Sequence, residues 1–473
     1  MADRSTPAGE GQPAKPSRAR LFRGSATALG WRCTLGREWP PREITQPSFD
    51  RSTNVPIGRT PRDTKRRTYL QATAGLTTLA GCVRLPGGGQ ATETVTCENA
   101  TSASRTDATR AELEGSWRTL LGDPENTGDR SDTVGPRTCP EIRWSQSPSH
   151  PAGEGIQVFF DNPPVVVADL VLVANKNVLY AFESTTGDVS WRARLHGSFD
   201  SPVVVDDTAY LGSRTGVHAV ALRDGSERWL RETPSRVRAA TKADADRVYA
   251  TTDEHEVLAV GFDGTITWET AVPAVERPER DVQSERFGPP AIGEDLLVVG
   301  GFDGTVVALD VTTGERAWIR TFDDTLSRAP TLGDDVVYVA GQTFLRALDL
   351  SIRATVWTAF ENEVVFGSTA SVARDETLYV QAGTSYESPN LVALDADTGR
   401  ERWRTAVALP EASPVVGRDH VYLGAGSELI AIDRETHEVV WRMDPGSDIH
   451  GHPVLLDRTV FLSTVSEGLF AVT

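Results

Sequence analysis

Lysine is nearly missing from this 473-residue chain: four occur, and only Lys176 and Lys242 follow position 81. Positive charge beyond that point is almost all arginine and is outnumbered, with 34 basic against 60 acidic side chains over 82–473, a net of −26. Nucleic-acid binding needs clustered basic groups against the phosphates, so that class of partner is excluded. Cysteine is equally scarce, with four residues, no adjacent pair and no Cys-x-x-Cys-His for an attached haem. Neither Gly-x-Ser-x-Gly nor His-Glu-x-x-His occurs, which removes the nucleophile-elbow hydrolase and the zinc-helix hydrolase. No apolar run is long enough to span a membrane as a helix, and no stretch sustains a helical period.

What is present begins with charge. An acidic surface stays hydrated in concentrated salt, where like-charge repulsion is screened within a few ångströms, and this composition resembles that of haloarchaeal proteins. Residues 1–64 are rich in Pro, Arg, Ser and Gly without periodicity and read as a disordered leader. In 65–82, Lys65-Arg66-Arg67 precedes a mildly apolar stretch ending in Leu79-Ala80-Gly81-Cys82. Arg66 and Arg67 resemble a twin-arginine export signal and the last four residues a lipobox, which implies lipidation of Cys82 and a lipid-anchored position on the extracytoplasmic face of the membrane. Export signals sit at the N-terminus, so the reading expects translation to start nearer Val55, at a non-AUG codon, because no methionine lies between Met1 and Met443.

Residues 83–114, rich in Thr, Ser and Ala, are expected to form a flexible tether carrying the sequon Asn99-Ala100-Thr101. With Cys33 in the leader and Cys82 lipidated, Cys97 and Cys139 remain as one disulfide or as two free thiols.

From Trp144 onward, tryptophan recurs as Trp191, Trp229, Trp268, Trp318, Trp357, Trp403 and Trp441, a mean interval of about 42 residues. Each follows short Val/Leu/Tyr runs separated by Gly, Asp and Thr, which is strand and turn chemistry. Roughly four strands per unit of about 42 residues is the signature of a β-propeller. All eight tryptophans, Trp144 included, are expected to dock blade against blade, each large indole covering the joint with its neighbour. Glycine stands four residues before Trp at 187, 225, 264, 314 and 399, where a tight turn needs positive φ; Arg353 and His437 replace it twice, so those two turns are expected to differ. Gly-Phe-Asp-Gly-Thr at 261–265 and 301–305 is hairpin chemistry. Trp144 has only Glu141-Ile142-Arg143 before it, while Gly468–Thr473 matches a third strand with no Trp after it. The two ends therefore complete one blade, which predicts an all-β, eight-bladed propeller over 115–473 whose ring is closed by pairing of its N- and C-terminal strands.

Ala308 to Trp318 and Ala393 to Trp403 match the tryptophan-docking motif of the pyrroloquinoline-quinone-type repeat family, which the chain resembles over about residues 115–473. Trp117 to Gly128 resembles the segment leading into quinoprotein-like propellers and is expected to pack against one face. For an active member the resemblance implies pyrroloquinoline quinone on a flat tryptophan beside calcium. All eight tryptophans from Trp144 onward are already assigned to blade packing, so no cofactor is expected and no catalytic residue is assigned; a quinone-dependent dehydrogenase remains the alternative.

The loops before the innermost strands carry Asp161, Asn162, Asp200, Arg286, Arg328, Glu411, His450 and His452, candidates at a channel mouth for an anion, a metal or a partner's loop. His450-Gly451-His452 supplies only two ligands and is not by itself a metal site. Paired carboxylates such as Asp206-Asp207, Asp323-Asp324 and Asp334-Asp335 read as turn residues. The expected function is a non-enzymatic, lipid-anchored scaffold or binding module, monomeric, with other extracytoplasmic or membrane proteins as partners.

Overall fold

Eight antiparallel sheets follow one another along the chain, each built from one sequence repeat. In the first, Val165–Val167, Leu170–Asn175, Val178–Glu183 and Val189–Arg194 lie side by side in chain order. The second and third strands are buried along nearly their whole length, because neighbouring blades cover both their faces; the outer strand alternates buried and exposed. The computed structural model describes residues 116–147, 162–197, 200–237, 239–273, 287–326, 329–361, 363–365, 369–372, 375–408, 412–449 and 451–473, and the strand Val95–Thr96. Blades 1 to 7 occupy 165–194, 203–232, 242–271, 291–321, 331–359, 371–406 and 415–443. Among the described residues there are strands and turns but no helix.

Blade 8 joins the chain ends. Val454–Leu456, Thr459–Thr464 and Gly468–Val472 are completed by Ile142–Gln146, and Glu141 and Thr473 exchange backbone hydrogen bonds of 2.9 and 3.0 Å. The sheet that would be left incomplete at each end thus gains its missing strand from the other.

The repeat owes its regularity to one cross-strand pair. In every blade an alanine of the third strand faces a tryptophan of the outer strand, from Ala181–Trp191 in blade 1 to Ala471–Trp144 in blade 8, and a β-bulge follows the alanine each time. The methyl leaves room for the indole, and the bulge turns the rest of the strand. The docked indoles then reach the outer turn of the next blade. A Cβ on Gly187, Gly225, Gly314 or Gly399 would fall 2.5–2.6 Å from the ring of Trp144, Trp191, Trp268 or Trp357. The indole N–H groups of these four donate to turn carbonyls at Ser184, Leu222, Val311 and Ala396, at 2.7–3.1 Å.

The eight joints are not equal, and Trp229 departs from the rest. This indole pairs with Ala219 as the repeat requires, yet it is only half-buried, as is Trp403, whereas the other six are buried. The turn on which Trp229 docks is a departure from the repeat that Trp403 does not share. The bond that closes that turn runs from Gly264 to the Gly261 carbonyl, three residues back, whereas Gly187, Gly225, Gly314 and Gly399 each reach four residues back. The shorter turn stands farther off: a Cβ on Gly264 would lie 3.1 Å from the Trp229 ring. Trp229 still donates its N–H to the Phe262 carbonyl at 3.0 Å, and Tyr210 packs at 5.7 Å from its ring, so the joint between blades 2 and 3 is made but is looser and wetter.

One further expectation is corrected by the turns. Arg353 and His437 take the same left-handed conformation as the glycines they replace, with φ of 62° and 66°, and make the same bonds to Asp349 and Asp433 carbonyls. The turn is held by its hydrogen bonds, so the side chain bears the cost instead of the backbone path changing. At blade 7 His437 stacks on Trp403 at 4.7 Å, whereas at blade 5 the buried Trp318 N–H has no partner. The two Gly-Phe-Asp-Gly-Thr copies also serve different places: 261–265 joins the third and outer strands of blade 3, while 301–305 joins the second and third strands of blade 4.

Val95–Thr96, within the stretch expected to be a tether, pairs in parallel with Trp441 and Arg442 on the outer strand of blade 7. Cys139 is disulfide-bonded. Cys97, Cys82, Arg66 and Arg67 lie outside the described residues.

Candidate functional site: the belt and its acidic rim

The innermost strand of a propeller blade is itself an edge, with outward N–H groups that need partners. Here the segment beginning at Ser116–Trp117 supplies them by circling the axis. Ser116–Trp117 pairs with the inner strand of blade 1; the carbonyls of Arg118, Pro124, Glu125, Thr127 and Gly128 then accept from Val204, Ile292, Leu332, Val372 and Val416 of blades 2, 4, 5, 6 and 7, at 2.8–3.0 Å. Asp129–Arg130 runs parallel to blade 7, and Val134 accepts from Arg458 of blade 8. We call this segment the belt. It packs as the sequence resemblance implied, against the inner strands at one end of the channel.

Blade 3 meets the belt through a side chain. Lys242 is fully buried, and its Nζ donates to the carbonyls of Leu120 and, at 2.7 Å, Asp123. Burial lowers its pKa from 10.5 to about 7, against the pull of Asp123, Glu125 and Asp200. Burial raises Asp123, with Lys242 and the N–H and hydroxyl of Thr127 opposing, and it raises Asp200 from 3.8 to about 6. Between blades 4 and 5, the buried Asn126 donates its amide to the Pro290 and Pro330 carbonyls at 3.1 and 3.0 Å. Its own φ of 66° is one that Asn tolerates better than most residues.

At the turns that follow the inner strands lies a cavity of about 990 Å³ bounded by the belt and blades 4 to 6. Eight carboxylates line it: Glu125 and Asp129 from the belt, Glu294, Asp295, Asp334 and Asp335 from first turns, and Glu376 and Asp397 from blade 6. Glu125 is raised, by burial first and by Asp123 next. A smaller cavity of about 590 Å³ near blade 7 holds arginines that are already paired, Arg137 to Asp419 and Arg434 to Asp375, at 2.5 and 2.7 Å.

The channel-mouth candidates divide. Asp200 joins the Lys242 cluster. Asn162 spends its amide on the Ala174 carbonyl, and its own carbonyl accepts from Ser463. His452 accepts the Ser413 N–H at Nδ1, 2.7 Å, which links blades 7 and 8 and occupies that lone pair. Asp161, Arg286, Arg328, Glu411 and His450 lie outside the described residues. Sequence reasoning missed Lys242, Asp123, Asn126 and the common cavity of the first turns. Two signals were available: Lys242 is one of two lysines in the acidic part of the chain, and an acidic residue recurs just after the inner strand, as at Asp169, Asp207, Asp295 and Asp335.

One constellation has the geometry of a nucleophile relay. Ser213 Oγ lies 2.9 Å from His218 Nε2, and His218 Nδ1 lies 2.6 Å from Glu227. Ser213 is fully buried, however, and its oxygen accepts the N–H groups of Thr215 and Gly216, so it locks a turn and offers no nucleophile to solvent. The described residues do not fit the quinone and calcium that the resemblance implied. Trp144, Trp191, Trp229, Trp268, Trp357 and Trp441 each donate the indole N–H to a turn or belt carbonyl, and Trp403 is stacked on His437. Trp318 is buried in the same kind of joint. Trp229, one of the two half-buried ones, is flanked by Tyr210 and committed to Phe262 and so offers no open platform. Trp117 is buried under Gly122, with the Arg130 guanidinium 5.9 Å from its ring. No group of three or more metal-capable side chains converges among the described residues.

A family model described as "Outer membrane protein assembly factor BamB", of the PQQ_2 type, matches residues 140–265 and 263–473. The chain is 27% identical to the outer membrane protein assembly factor BamB of Burkholderia pseudomallei over 55% of its own length and 70% of that protein. The crystal structure of BamB from Moraxella catarrhalis superposes with a TM-score of 0.55 at 18% identity, covering 70% of this chain and 99% of that one. A europium-containing methanol dehydrogenase superposes with a TM-score of 0.62 at 12% identity, covering 76% and 98%. At such identities the two structures bear on fold alone.

Proposed function

This chain belongs to the BamB-like PQQ_2 repeat family, and from that premise we propose that it is a non-enzymatic, extracytoplasmic propeller, lipid-anchored through Cys82, that serves as a scaffold for other membrane or exported proteins. The observation that carries the reading is the belt bonded around the inner strands. The chain's own belt runs along the inner strands, with the Lys242 amine and the Asn126 amide both committed to backbone carbonyls. The surfaces left for recognition are the loops and the acidic rim, whose eight carboxylates suit a partner segment bearing Lys or Arg.

Crosslinking at the native membrane, followed by identification of the crosslinked protein, tests the scaffold. The expected result is a specific extracytoplasmic partner retained at high salt; recovery of none would remove the proposal's support. Cys82→Ala tests the anchor separately and is expected to release the protein from the membrane fraction. Native mass spectrometry with added pyrroloquinoline quinone and calcium is expected to show no stoichiometric uptake, and uptake would favour the dehydrogenase instead.

A further inference from the structure

Closing the ring joins blade to blade, but it leaves the outer strand of each blade with one row of N–H and C=O groups outside the sheet. Natural edges are commonly guarded by charge. Seven of the eight outer strands here follow that rule, with Arg192, Glu227, Glu269, Arg316, Arg402, Arg442 and Arg143 on blades 1, 2, 3, 4, 6, 7 and 8. The outer strand of blade 5, Thr355–Ala359, reads Thr-Val-Trp-Thr-Ala and carries none.

Other departures gather at the same place. Val356 on this strand is 51% exposed and Ile352 on its turn 72%, two of the four large apolar side chains that are exposed among the described residues. The same turn holds Arg353 where most blades have glycine, and the Trp318 indole that docks there has no partner for its N–H. Blade 7 shows that an outer edge of this chain accepts a further strand, since Val95–Thr96 lies along Trp441 and Arg442. Among the described residues nothing pairs with the outer side of Thr355–Ala359.

We propose that the outer edge of blade 5 is a self-association surface, at which two copies pair their Thr355–Ala359 strands antiparallel about a two-fold axis. Self-complementarity selects a second copy as the occupant. Centred on Trp357, the pairing sets Val356 opposite Thr358 and Thr355 opposite Ala359, so no charged side chains face each other across it. The other outer strands carry charge into the same operation. The edge lies on the rim of the ring, so the two four-stranded blades merge into one sheet without disturbing either axis.

Two features mark the association. Five residues a side fall short of the roughly 800 Å² per partner of a standard interface, so the dimer is weak and reversible. The net −26 over 82–473 opposes approach, so the dimer strengthens as the screening length falls from about 10 Å at 0.1 M salt to about 3 Å at 1 M. The sequence led to the expectation of a monomer, but ring closure removes edges only around the ring and leaves the outer ones.

Analytical ultracentrifugation of the full chain over a wide concentration range, at low and high salt, tests this. Wild type is expected to show a monomer–dimer equilibrium that moves towards dimer with concentration and with salt. Val356→Lys and Thr355→Lys, both at exposed positions, are each expected to weaken association at least tenfold while leaving circular dichroism and melting unchanged. Val189→Lys, on the edge of blade 1, is expected to leave it unaltered. A wild type that stays monomeric throughout, a dimer indifferent to the blade 5 variants, or equal weakening by Val189→Lys would each overturn the proposal.

Discussion

Replacing Lys242 with methionine tests whether the belt is held to the ring by the buried amine. Methionine fills nearly the same space but removes two hydrogen bonds, to the carbonyls of Leu120 and Asp123. A buried carbonyl left without a donor costs about 1–3 kcal/mol, so the pair of losses is expected to cost about 2–6 kcal/mol when the wild-type amine is neutral. The pH dependence makes the test specific. The folded pKa of about 7 lies below the ordinary 10.5, so the amine's contribution is fully present above 10.5 and is lost as pH falls through 7. Over that window the unfolded chain binds the extra proton, and wild-type stability rises with pH by at most about 5 kcal/mol, at 1.36 kcal/mol per decade. The pull of Asp123, Glu125 and Asp200 on the charged amine is already contained in that folded pKa. The assay is the urea midpoint of both proteins between pH 6.5 and 10. The variant should be markedly less stable at the alkaline end, and the difference should shrink towards neutrality. A wild-type midpoint flat over this range, or a variant at least as stable at pH 10, would refute the role given to Lys242.

Asp200→Asn addresses the other limb. Burial raises the folded pKa to about 6, so the wild-type carboxyl favours folding below 3.8 and that contribution is lost as pH rises through 6; the variant should lack this slope and be more stable at neutral pH by up to about 3 kcal/mol, read from denaturation midpoints. Gly399→Ala places a Cβ 2.5 Å from the Trp357 ring at a φ of 67°, and calorimetry should show a loss of about 2–4 kcal/mol. Arg353→Gly relieves a left-handed arginine and should raise stability by about 1 kcal/mol; a lower melting temperature would count against the strain assigned to that turn.

The repeat made most of the fold legible. Alanine and tryptophan at a fixed spacing identify the docking pair, and the tryptophan without a full strand set and the third strand without a tryptophan identify the closing blade. These are local patterns, and the structure keeps them in register eight times over. The depth of docking was not legible: Trp229 and Trp403 have the repeat's spacing but are only half-buried, and only at Trp229 is the turn of the next blade shorter. The turn at Arg353 was misread because a residue's φ preference was taken to decide a conformation that the hydrogen bonds to Asp349 decide. The channel mouth was only partly legible. Asp200 belongs to a charged cluster, whereas Asn162 and His452 are consumed in holding strands together.

By itself the sequence determined what is periodic: strand composition, blade number, ring closure, the acidic charge and the absence of hydrolase and haem motifs. Each rests on interactions between residues close in the chain or at a constant repeat spacing, so no distances in space are needed to read them. Tertiary structure alone decided that the belt runs around the inner strands, that Lys242 lies among Asp123, Glu125 and Asp200, and that the first turns of several blades open on one acidic cavity. Those partners come from different blades, well over a hundred residues apart for Lys242 and Leu120, and only the closed ring brings them together. The same closure leaves the outer edges exposed, and the uncharged strand of blade 5 becomes meaningful only once the ring shows which side of it faces solvent.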